Sequence, residues 1–230
     1  MNEPKPTPDI LTHVRAIRDT LVEANTKLKH ESCAQLRNTV NERLEDISLD
    51  IHKVSKLKND VESLKSTGEQ PRSQEMKRAR LEKEYLAASG QLLRSASIGI
   101  TFIQRTSTIF LKLGEVNKQR KIELSETCYQ RAFSQMERCG IECDPAKAAE
   151  AVDEKILWAV SPAESKTFRE IADALKQATV FETEAKEWDA TIHSVREAQE
   201  IVERASRQLA APMNSVAGHI DRILPPEKSK

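Results

Sequence analysis

Aromatic side chains are scarce in this chain, at 4% of the residues, and glycines number only 6 in 230 positions. A chain so poor in both has little material for the aromatic cores and glycine turns of a multi-stranded fold, and its 31% of charged residues suits long, solvated amphipathic helices. Net charge is missing too, since 36 basic residues meet 36 acidic ones. Nucleic-acid binding needs a surplus of Lys and Arg facing phosphates, so neutrality argues against that class and weakens a lipid-binding or membrane-curving reading. No run approaches the roughly 18 apolar residues that a membrane-spanning helix requires. The C-terminal Glu227-Lys228-Ser229-Lys230 carries no lipid-anchor box. Four cysteines and no signal-peptide pattern lead to the expectation of a reducing, cytoplasmic setting, at most peripheral to a target membrane.

Catalytic machinery is the next absence. The sequence has no Gly-rich phosphate loop, no metal-ligand motif and no nucleophile beside an ordered base, so no catalytic residue, cofactor or metal is expected and the chain reads as a non-enzyme. His30 and Cys33 share a helical face but supply only two ligands, which suits ordinary helix residues better than a metal site. Asp189 and His193 stand four apart, a spacing that on a heptad helix falls on the solvated face. Trp188 lies on the apolar seam and reads as a core residue, whereas Trp158 fits either a packed or a recognition role.

What is present is periodicity. Phe181, Trp188, Val195, Val202, Leu209, Val216 and Ile223 recur at a seven-residue step. At 38% hydrophobic content such a run arises by chance on the order of once in a thousand starts. A companion line runs through Ala178, Ala185, Ile192, Gln199, Ser206, Met213 and Ile220. Two such lines make a narrow seam that a lone helix cannot hide, so the segment requires partner helices. Gln199, polar within the seam, is a candidate for setting register. Charge is also patterned. Residues 73–139 hold 12 basic and 7 acidic side chains, and residues 140–230 hold 12 and 17, so the acidic arm is expected against the basic helices.

Along the chain, residues 1–8 hold three prolines and read as a disordered lead-in. Asp9 is an N-cap, followed by Ile10, Val14, Ile17, Leu21, Ala24 and Leu28 at helical spacing. The pattern slips at His30 to Ser32, leaving open a break or a bent helix, and resumes as Leu36, Val40, Leu44, Ile47, Ile51, Val54, Val61 and Leu64. Ser66-Thr67-Gly68-Glu69-Gln70-Pro71 is a strong breaker, and a third helix should open near Ser73. Ser89-Gly90 or Ile98-Gly99 should mark a turn into a fourth helix ending at Gly140, with a strand at Ile98 to Ile103 as the weaker alternative. Asp144-Pro145 starts a short helix to about Trp158, and Ser161-Pro162 opens the long heptad helix. Pro212 should kink or fray that helix, and Pro225-Pro226 should stop it. The fold expected is all-α: an antiparallel bundle of long helices (9–140), a connector with a short helix (141–162), a C-terminal heptad helix (163–224) and a tail (225–230).

This order of parts resembles the syntaxins, the Qa-type target-membrane SNARE family. The likeness is carried by Leu44-Glu45-Asp46-Ile47 through Ile51, Val54 and Val61, and by Ile109-Phe110-Leu111-Lys112-Leu113-Gly114-Glu115-Val116-Asn117 with Cys128-Tyr129-Gln130-Arg131. Asp144 to Trp158 is similar to the family's helical connector, and Ile220-Asp221-Arg222-Ile223 to a run in the SNARE motif. The resemblance implies a three-helix regulatory (Habc-like) bundle able to fold back over a SNARE-like helix. It also implies partners among other SNARE helices or syntaxin-binding regulators, in vesicle trafficking and membrane fusion. Val216 stands where the family's central glutamine is expected, Pro212 interrupts the zippering helix and no anchor is seen, so the expectation is a protein not fusion-competent on its own. The partner-binding seam is expected at Ile192, Val195, Gln199, Val202, Leu209, Met213, Val216, Ile220 and Ile223. The alternative is a structural coiled-coil or spectrin-like scaffold unrelated to fusion.

Overall fold

The computed structural model describes residues 9–65, 72–142 and 144–223, and the side chains of all of these except 65, 211 and 214–223. The expected lead-in (1–8), the breaker at 66–71, Cys143 and the tail lie outside the described residues, as do the side chains of Val216, Ile220 and Ile223. The described residues form five α-helices and no strand: α1 (Ile10–Lys27), α2 (Ala34–Lys65), α3 (Arg72–Arg138), α4 (Ala148–Leu157) and α5 (Pro162–Ile223). Single 3-10 turns precede α2 (Glu31–Cys33) and α4 (Pro145–Lys147). The all-α architecture read from the sequence is the observed one. Two compact units divide the chain, one of Met1–Phe110 with Ser194–Lys230 and one of Leu111–His193.

In the first unit, Asp9 caps α1 through its backbone carbonyl, which accepts from the His13 amide at 3.2 Å. Its carboxylate takes the Thr12 hydroxyl and, at 3.4 Å, the Lys58 amine. The Thr12 hydrogen bond and the Lys58 charge together hold the Asp9 carboxyl below the usual range. Ile10, Val14, Ile17, Leu21, Ala24 and Leu28 are all buried, as their 3,4 spacing requires. The slip at His30 is a true break. The His30 ring nitrogen accepts from the Ser32 amide at 3.3 Å, and the Arg37 guanidinium donates to the Leu28 carbonyl at 3.3 Å, so the chain turns and α2 returns along α1. Asn25 donates to Asn41 at 2.6 Å and Arg15 to Ser55 at 3.0 Å, which sets the two helices antiparallel. Burial pushes the Cys33 thiol pKa up at this corner.

The turn expected at Ser89-Gly90 or Ile98-Gly99 is absent, and α3 runs through both without interruption. A mid-helix glycine costs about 1 kcal/mol relative to alanine, too little to end a helix whose neighbours are packed. The space a Cβ on Gly99 would fill lies 3.6 Å from Arg43 Cβ and 3.7 Å from Ile47 Cδ1. Ser89 is fully buried, as is Ala96. Small residues that read as punctuation are contact surface between α2 and α3. The segment Ile98 to Ile103 is helical for the same reason, with Ile100 and Ile103 buried.

Residues 194–223 of α5 supply the fourth segment. Thr20 donates to Gln208 at 3.3 Å, Arg204 reaches Glu23 at 3.7 Å and Lys27 reaches Glu197 at 3.6 Å, so α5 is antiparallel to α1. Gln199 donates to Thr108 of α3 at 3.4 Å. The four segments thus alternate in direction, the up-down order of a four-helix bundle. α5 continues past Pro212 to Ile223, so the helix does not end at the proline. Pro212 itself is buried, although a proline in a helix interior costs about 3 kcal/mol.

In the second unit, residues 111–138 of α3 and 162–193 of α5 form an antiparallel pair. Lys118 meets Asp189 at 2.6 Å, Lys121 meets Glu184 at 2.5 Å, and the Ser125 hydroxyl donates to the Ala178 carbonyl at 3.1 Å. Here the acidic arm lies on the basic helix, as the charge pattern anticipated. Gly140, at φ 66°, ends α3 in the left-handed conformation that glycine tolerates, and the Ile141 amide bonds back to the Met136 carbonyl at 2.9 Å. Asp144 caps the next turn by accepting from the Ala146 amide at 3.0 Å. Ser161 and Glu164 cap α5 together, Ser161 accepting from the Glu164 amide at 3.2 Å and Glu164 from the Val160 amide at 3.1 Å. α4 closes the open end of the pair, its Ala148 and Val152 packed with Ala132, Met136, Ile171 and Leu175.

Candidate helix-docking seam

The heptad line of α5 reaches two different surroundings. In the second unit Ile192 is 2% exposed, and its Cγ1 would lie 3.0 Å from a Cβ placed on Gly114, so the helices touch backbone to side chain. Trp188 is half-buried against the same glycine, in line with a packed role. Phe181 is also half-buried, with the Lys121 amine 5.0 Å above its ring. Ala178 and Ala185 are buried, and their small size permits a two-helix interface.

In the first unit Val195, Val202 and Leu209 are buried within the four-segment core. The companion line does not follow them there. Ala198, Ala205 and Pro212 take the inner positions, while Gln199 and Ser206 are half-buried and Met213 is exposed. The reason is size and polarity. Alanines let α5 approach its neighbours, and Gln199 at the flank satisfies its amide on Thr108 without losing all its water. Gln199 therefore lies at the edge of the seam, in contact across α3 and α5. Ile201 and Thr191 are further buried positions on α5 that the seven-residue reading missed. The 3,4 spacing of 195, 198, 202, 205, 209 and 212 was the available signal.

The seam residues with described side chains thus divide into three sets. Val195, Val202 and Leu209 come together in one core, Ile192 packs in the other unit, and Gln199 and Met213 lie outside the buried line. Asp189 is engaged by Lys118, and Asp189 and His193 are both exposed, on the solvated face of α5. The His30 ring serves the turn before α2, and among the described residues no group of three metal-ligating side chains occurs. Trp158 is 77% exposed at the end of α4, beside exposed Leu157 and Val160. Among the described residues no helix is long and apolar enough to cross a membrane. Comparison of the chain with protein-family descriptions, curated proteins and solved structures finds no match in any of the three.

Proposed function

We propose that the chain is a syntaxin-like helical interaction protein of vesicle trafficking, whose heptad helix is held against the helices that precede it and engages other SNARE helices or their regulators on release. The observation that carries this reading is the burial of Val195, Val202 and Leu209 of α5 among α1, α2 and α3 of the same chain. A helical bundle, a short connector helix and a seam helix folded back on the bundle is the order the family resemblance implies, its first and third helices resembling residues 44–61 of α2 and 102–138 of α3. Docking elsewhere requires the seam to leave this core, so partner binding competes with a closed state.

The test mixes the full chain with a panel of soluble SNARE helices and reads complex formation by gel filtration and thermal stability. Ile17→Asp with Leu21→Asp, both in α1, should uncover α5 and raise complex formation. Absence of any complex, with or without that release, overturns the proposal. Self-association alone supports the second reading, a structural scaffold, which the uninterrupted 67-residue α3 favours.

A further inference from the structure

The α3 surface turned away from the first unit's core carries a second apolar line, independent of the α5 seam. Ile98 is 59% exposed, Phe102 45% and Ile109 59%, while Leu92, Ala96, Ile100 and Ile103 on the opposite side are buried. Exposed Arg94 and Arg105 stand on the same line. At about 100° per residue, positions 98, 102, 105 and 109 fall within roughly 60° of one another. The line opens at one end into a groove of about 720 Å³ bordered by Gly90, Arg94 and Ile98, with exposed Met213 of α5 on its wall. Beside it the Arg43 guanidinium of α2 lies 4.9 Å above the Phe102 ring. The charge that α3 itself contributes to this face has one sign; the carboxylates nearby belong to α2, Asp50 at the border of the groove and Asp46 paired with Arg43 at 2.9 Å. No Asp or Glu occurs anywhere between Glu84 and Glu115, whereas Arg94, Arg105 and Lys112 do.

We propose that this face of α3, from Arg94 to Ile109, is a docking seam for an acidic amphipathic helix of another protein, with apolar residues at 3,4 spacing and carboxylates set against Arg94 and Arg105. A strip so narrow matches the seam of a helix pair; a helix lying in a bilayer surface presents a wide apolar face with its basic residues on the other side. A second copy of the chain is disfavoured by charge, because α3 turned on itself brings Arg94 and Arg105 together and offers no carboxylate of its own between Glu84 and Glu115. An acidic helix meets both demands: its apolar residues cover Ile98, Phe102 and Ile109, and its carboxylates meet guanidinium groups suited to them.

The experiment titrates the full chain into two labelled synthetic heptad helices with identical apolar positions, one flanked by Glu and one by Lys, and reads anisotropy. The Glu helix should bind, and binding should weaken about tenfold when salt is raised to ~0.5 M, where exposed charges are screened. The Lys helix should not bind. Arg94→Glu with Arg105→Glu should reverse the preference, and Ile98→Gln with Ile109→Gln should abolish binding of either helix. All four positions are exposed, so the far-UV circular dichroism melt should hold; if the glutamine pair melts early, the charge-reversed pair decides alone. Equal binding of both helices, or of neither, overturns the proposal. So does binding to phosphatidylserine vesicles in place of the Glu helix, or dimerisation that the glutamine pair removes.

Discussion

Four helical segments share the core of the first unit, whereas two long segments face each other in the second, and the side chains at their interfaces differ accordingly. The four-segment core holds large residues throughout, among them Ile17, Leu21, Leu36, Ile47, Leu92, Ile103 and Val202. The two-segment interface relies on Gly114, Ser125, Ala178 and Ala185, with ion pairs along its flank, and gathers large buried residues at its two ends, Ile192 on Gly114 and the cluster that α4 closes. The number of helices in cross-section sets how much apolar surface can be removed from water. Where two helices must suffice, small residues bring the backbones together.

Both tryptophans, Trp158 and Trp188, belong to the second unit, so their emission reports that unit while far-UV circular dichroism reports the whole chain. This separates the units by experiment. The largest effect is expected from Val202→Asp, which buries an unpaired charge in the four-segment core and should cost about 4 kcal/mol or more. Helicity should then fall at lower urea than the tryptophan transition. If the two transitions still coincide, the units unfold together and the contrast drawn above fails. Ile171→Ala hollows the cluster beneath α4 and should cost about 2 to 5 kcal/mol, moving the tryptophan transition first.

A smaller effect tests close approach. Gly114→Ala gains about 1 kcal/mol of helix propensity but sets a methyl group against Ile192, so it should destabilise the native background and stabilise Ile192→Ala. The same sign in both backgrounds, in urea melts, would show that the contact does not limit the helix spacing. Smallest is the pH response at Asp9. Its pKa is lowered in the folded state, so its contribution is present above the unfolded carboxyl pKa and lost as pH falls through the folded one. Asp9→Asn should melt below the native chain at neutral pH and level with it in acid. A gap that persists in acid would assign the effect to something other than the Thr12 and Lys58 interactions.

Helix existence was legible because an amphipathic period leaves an unambiguous trace. Ile10 to Leu28 are buried where the spacing put them, as are Leu36, Val40, Ile47, Ile51, Val54 and Val61, with Leu44 half-buried; Asp144 and Ser161 cap with their side chains as expected, and Asp9 occupies the N-cap position without a side-chain cap. The connection at His30 was open because no Gly or Pro marks it, and its turn depends on a His30 ring nitrogen and an Arg37 contact. The turn expected near Gly90 or Gly99 is absent because a glycine's cost of about 1 kcal/mol does not by itself end a helix, and α3 packs on α2 at Arg43 and Ile47 straight through Gly99. The seam was half legible. Val195, Val202 and Leu209 were readable, while the choice of Ala198 and Ala205 over Gln199 and Ser206 was not, since both lines keep the period.

The sequence alone determined that the chain is helical, where most helices begin, and that the last helix carries a stripe in need of cover, because these follow from local periodicity and capping. Only the tertiary structure decided what provides that cover, which of two equally spaced lines turns inward, and which face of α3 stays in water. Those outcomes depend on the size and charge of side chains far away in the chain, which no local pattern contains.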